Sequence, residues 1–102
     1  MGTTLDLQNE LKTLLGSDNV YFQPPNNLKM KYPCFVFNRG SANHQFADNK
    51  IYQFTKRYML TYIGYESDPD MVDQVVNHFS MCTYDKAYVS DNLHHNTFSL
   101  YW

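Results

Sequence analysis

The spacing of apolar residues divides the chain into seven segments. Leu7, Leu11, Leu14 and Leu15, with Leu5 nearby, recur at helical intervals, so residues 4–15 are expected to form an amphipathic helix. Thr3 or Thr4 can cap its start, Asp6 and Glu10 sit toward the positive end of its dipole, and Gly16 suits a left-handed termination. Asn19 to Gln23 is a short aromatic strand stopped by Pro24-Pro25-Asn26-Asn27. Tyr32 to Asn38 is the next strand, with Pro33 near its start. Cys34, Val36 and Asn38 face one way, and Phe35 and Phe37 face the other.

The stretch around which the rest is arranged runs from Ile51 to Asp70. Tyr52, Phe54, Tyr58, Leu60 and Tyr62 share one face, interrupted by Lys56, and Met59 and Ile63 lie on the other. A strand of this length overreaches one small core. Its first half is expected to form, with Arg39–Lys50, a long β-hairpin arm over about residues 39–57. Asp68-Pro69-Asp70 then opens a helix: Asp68 can cap, Pro69 fits the first helical position, and Val72, Val75, Val76 and Phe79 form the apolar stripe. Thr83–Val89 and Thr97–Trp102 are expected as two final strands, joined by a connection over Ser90–Asn96. Phe98, Leu100 and Trp102 point to one face. The fold class is therefore α+β: a mainly antiparallel sheet of about four or five strands packed by two helices, in the order α-β-β-β-α-β-β, within one domain over residues 1–102.

Composition narrows the function. Lys and Arg number 8 against 10 Asp and Glu, so no basic surface for a nucleic-acid backbone is expected. Aromatics reach 17%, more than one small core can hold, which favours an oligomer or a large partner. The start, MGTTLDLQNELK, has no basic region followed by an apolar run. No run approaches the roughly 20 apolar residues of a membrane span. Together these give the expectation of a soluble protein made in a reducing cytoplasm.

No catalytic constellation emerges. Cys34 and Cys82 are expected as buried reduced thiols with no partner suited to activating them. Asp68, Asp70 and Asp73 belong mainly to helix-start chemistry and lack the calcium-loop pattern. His94 and His95 beside Asp91 lack further ligands at zinc spacing, and the four glycines are scattered. No enzyme activity, metal or cofactor is expected.

Several strings carry a resemblance to a known family. They are Tyr32-Pro33-Cys34-Phe35-Val36-Phe37, Phe46-Ala47-Asp48-Asn49-Lys50, Lys56 to Tyr62, Ser67-Asp68-Pro69-Asp70, and Tyr88 to His95. Over roughly residues 30–102 the chain resembles the neck and tail-completion proteins of tailed bacteriophages, in particular the tail terminator group. The resemblance implies a structural virion protein, assembled in the host cytoplasm. It implies a hexameric ring that caps the tail tube, stops its growth and joins it to the head connector or stopper proteins. DNA would pass through the lumen without specific binding, with Lys29, Lys31 and Lys56 as candidates for occasional phosphate contact. On this reading Arg39, His44, Phe46, Asn49, Lys50, Tyr52, Phe54 and Lys56 form the subunit or tube interface. A neck stopper or head–tail adaptor, or a small interaction module unrelated to phages, stays open as an alternative.

Overall fold

A computed structural model describes residues 3–40 and 57–102 of the 102-residue chain. The element order is α1 (Thr4–Leu15), β1 (Val20–Phe22), β2 (Cys34–Arg39), β3 (Arg57–Gly64), α2 (Met71–His78), β4 (Cys82–Ser90) and β5 (Leu93–Tyr101). This is the α+β class and the α-β-β-β-α-β-β order expected from the sequence. The proposed arm falls between Gly40 and Arg57. Except for its two ends it lies outside the described residues.

Helix α1 forms where its caps place it. Thr3 Oγ1 accepts from the Asp6 N–H, and the Asp6 carboxylate accepts from the Thr3 N–H, a reciprocal capping box. Gly16 ends the helix at φ 80°, where a side chain would be strained. Leu7 and Leu11 are fully buried on the sheet, each contributing about 1.5–3 kcal/mol by removal from water.

The sheet has five strands in the order β1-β2-β3-β5-β4. β1 runs parallel to β2, and every other pair is antiparallel. A parallel pair cannot be closed by a tight hairpin; residues 23–33 supply the crossover. In β2, Phe35 and Phe37 are fully buried, and in β3 so are Tyr58 and Leu60. They face the helices together with Phe98 and Leu100 of β5, which lies between β3 and β4, matching the expected alternation. The Tyr58 hydroxyl bonds Thr4 Oγ1 at 2.8 Å, fastening the start of α1 to β3. Helix α2 packs Val75 and the flanking Val72, Val76 and Phe79 against the same cluster. His78 Nε2 meets Glu10 Oε1 of α1 at 2.6 Å in a contact exposed to solvent. Trp102 packs edge-on against Phe79 and donates from Nε1 to the Thr3 carbonyl, so the last residue closes over the first helix.

Two expectations need correction. The expected cap Asp68 makes no capping bond. The capping position falls to Asp70, which is itself helical and makes no capping bond through its side chain. Pro69 is buried and its carbonyl accepts from the Val72 N–H, so the approach turn satisfies backbone groups that a cap would otherwise serve. Second, Ser90–Asn96 is not a connection. Asp91 and Asn92 adopt φ 54° and 63° and close a two-residue turn, pairing Ser90 with Leu93. Both strands therefore extend to the turn, and His94 and His95 lie in β5. Asp and Asn tolerate the left-handed region that such hairpins need, although glycine is the usual signal.

Candidate interaction surface

Both helices cover one side of the sheet. On the opposite face, cross-strand pairing builds three rows. Cys34, Ile63, His95 and Tyr88 form one, Val36, Thr61, Thr97 and Lys86 the next, and Asn38, Met59, Ser99 and Thr83 the third. At the loop end the face closes: Cys34 is fully buried and Ile63 nearly so. Tyr21, from the same face of β1, accepts from the Lys31 N–H, bringing the 23–33 segment over that end. Toward the far end the face opens into a shallow groove lined by Arg39, Gly40, Met59, Thr61, Lys86 and Tyr88. Met59 is 40% exposed there and Tyr88 43%.

The groove is held by a polar network. Arg57 Nη2 donates to Ser99 Oγ at 3.4 Å, and Ser99 Oγ donates to Asp85 Oδ2 at 2.8 Å. Tyr88 stacks on His95 with ring centroids 4.7 Å apart, and Lys86 Nζ stands 5.5 Å from the Tyr88 centroid. The His95 ring is fixed by its Nδ1 contact to the Leu93 carbonyl at 3.0 Å. The Arg39 N–H donates to Gln23 Oε1, and the Gly40 N–H to the Arg57 carbonyl at 2.8 Å. A side-chain carbon on Gly40 would come within 3.0–3.3 Å of Arg57, so a larger residue there would push Arg57 aside by a few tenths of an ångström.

Of the expected interface residues, Arg39 lines the groove at the root of the proposed arm. His44, Phe46, Asn49, Lys50, Tyr52, Phe54 and Lys56 lie outside the described residues. Lys86, Tyr88 and Thr97 join Arg39 there, and Asp85 and Ser99 brace the same face. The spacing of apolar residues singles out none of these five. The available signal was the string Thr83-Tyr84-Asp85-Lys86-Ala87-Tyr88-Val89, which has no apolar stripe on either face and so belongs at a solvent edge.

The cysteines are unsuited to nucleophilic chemistry. Burial pushes the Cys34 thiol up to about 12, and burial with Asp85 nearby pushes Cys82 up to about 11, so both stay protonated at neutral pH. Cys34 is buried as expected, whereas Cys82 is only half-buried because it sits on the edge strand. Among the described residues no three His, Cys, Asp or Glu side chains converge to hold a metal ion, and no helix is long and apolar enough to cross a membrane.

The fold thus defines an α+β protein with one sheet face covered by helices and an opposite face that no helix covers among the described residues. Comparison with family models, curated proteins and solved structures finds no match to the chain.

Proposed function

We propose that this chain is a non-enzymatic assembly subunit: a tail terminator or tail-completion protein of a tailed phage, acting as a hexameric ring between tail tube and head connector. The observation that carries an assembly role is the sheet face on which no helix packs among the described residues. Its groove exposes Met59 and Tyr88 beside Arg39 and Lys86, an aromatic, thioether and cation set suited to protein contact. The assignment to the phage neck rests on the family resemblance of the sequence. The groove lies where the chain leaves β2 and enters β3, at the root of the segment expected to reach a neighbouring subunit. A groove on one subunit that receives a different element of the next is a head-to-tail contact, and such contacts close into rings by rotation.

Light scattering of the purified protein, alone and with tail tube and connector proteins, tests this reading. The expected result is a mass near six subunits, reduced by Arg39→Glu. A chain that stays monomeric until connector is added would point instead to an adaptor. A monomer indifferent to both partners would sink the neck assignment.

A further inference from the structure

The two edges of the sheet differ. At β1 the outward backbone groups of Val20 are already engaged: its N–H donates to the Asp18 carbonyl at 2.8 Å, and its carbonyl accepts from Gln8 Nε2 at 3.4 Å. β1 is also only three residues long. β4 has nine residues, of which all but Cys82 are exposed, and no neighbour on its outer side among the described residues. Ser90 and Leu93 close the two-residue turn as a hydrogen-bonded pair, so alternation directs the N–H and C=O of Val89 and Ala87 outward. At the other end Tyr101 N–H donates to the Met81 carbonyl, which leaves Cys82 and Tyr84 outward by the same alternation. Exposed edge groups of this length are a template for another strand.

We propose that the β4 edge pairs with the β4 edge of a second copy, antiparallel about a two-fold axis, joining the two sheets into one. The register follows from the β-bulge between Tyr84 and Lys86. Asp85 is the extra residue, and it shares the open face with Lys86, since Asp85 bonds Ser99 and Lys86 pairs with Thr97. The bulge shifts the facing pattern by one residue across its position. With the axis at the bulge, Asp85 stands opposite the partner's Lys86, Thr83 opposite the partner's Tyr88, Tyr84 opposite the partner's Ala87, and Cys82 opposite the partner's Val89. In every pair both residues share a sheet face, and the outward backbone groups meet one another. Tyr84 lies beside a small residue, leaving room for its ring.

Charge selects the same register. Two Asp85–Lys86 contacts flank the axis, and Asp85 retains free acceptor positions beyond those taken by Ser99 and Thr83. A bulge and a lysine on an edge repel an arbitrary strand. A second β4 answers the lysine with an aspartate and the bulge with a bulge, so these devices act as a filter that admits this partner. The contact is isologous. It shares Lys86 and Tyr88 with the groove, and it does not depend on the ring reading.

Sedimentation equilibrium over a dilution series, with amide exchange by NMR, provides the test. The native chain is expected to form dimers or multiples of dimers, with slowed exchange at Ala87 and Val89 that is lost on dilution. K86D places two aspartates together and is expected to weaken association by at least about tenfold. The double variant D85K/K86D exchanges the charges and is expected to restore it. Ala87→Pro removes an outward N–H that the monomer does not use, so it is expected to retain the fold, checked by circular dichroism, and to abolish pairing. A monomer at all concentrations overturns the inference. So does a higher oligomer in which the Ala87 and Val89 amides exchange freely, an outcome that leaves the ring reading standing.

Discussion

The bond between Thr4 and Tyr58 makes an asymmetric prediction. Tyr58 is fully buried, and among the described residues Thr4 Oγ1 is its hydroxyl's only partner, at 2.8 Å; Thr4 is partly exposed. Tyr58→Phe removes the hydroxyl and leaves Thr4 free to bond water, so the cost is the net value of one hydrogen bond, about 1 kcal/mol. Thr4→Val keeps the shape at the helix start but strands the buried Tyr58 hydroxyl, which costs about 1–3 kcal/mol. Val and Thr have similar helix propensity, so α1 itself changes little. The double variant strands nothing and is expected near the Tyr58→Phe value, giving a coupling as large as the Thr4→Val cost, about 1–3 kcal/mol. Urea unfolding of the four proteins, followed by fluorescence, reads this as midpoint shifts of about 0.5–1 M. Additive effects, or a Thr4→Val cost no larger than that of Tyr58→Phe, would refute the claim that this bond fastens α1 to the sheet.

Three further perturbations probe other parts of the fold. Thr3→Ala removes the acceptor half of the capping box and is expected to cost about 1 kcal/mol, lowering the melting temperature by roughly 4 °C or more. Phe98→Ala opens a cavity in the core between β5 and the helices and is expected to cost about 3–5 kcal/mol in urea unfolding, enough to unfold a marginal domain. Alkaline pH is expected to destabilise the protein through Cys34. Below pH 9 both folded and unfolded chains hold the thiol proton; between about 9 and about 12 the unfolded chain releases it and the folded chain keeps it, so stability falls as pH rises. The expected slope from Cys34 is up to about 1.4 kcal/mol per pH unit, smaller in Cys34→Ala, measured by urea unfolding between pH 8 and 10.5. Cys82, pushed up to about 11, and the raised Tyr32 and Tyr62 act in the same direction and set the slope that the variant retains.

Legibility in the sequence follows the range of the forces involved. Thr3, Asp6 and Gly16 act within one turn of α1, and the helix appears at residues 4–15 as expected. Phe35 and Phe37, Tyr58 and Leu60, and Val72, Val75 and Val76 set their buried faces by alternation or helical spacing, which a strand or helix cannot evade once formed. Where local signals compete, the sequence misleads. Asp68 has the chemistry of a cap, yet the Pro69 turn makes it unnecessary. Asp91-Asn92 makes a tight hairpin without the glycine that usually advertises one, so the strand positions of His94 and His95 are hidden in the sequence.

The candidate surface was legible only at Arg39. Lys86, Tyr88, Thr97 and Ser99 become neighbours of Arg39 and Arg57 because β5 inserts between β3 and β4, a pairing between segments far apart in the chain. By itself the sequence determined the elements, their inward faces and the α+β class, since these depend on side-chain period and capping within a few residues. The tertiary structure alone decided the parallel course of β1, the strand order β1-β2-β3-β5-β4, and therefore which edge is left open. Those choices depend on which strands share backbone hydrogen bonds across the sheet, and backbone groups are the same in every residue but proline. The sequence marks β4 as polar on both faces; only the sheet shows that its outer backbone groups have no neighbour among the described residues.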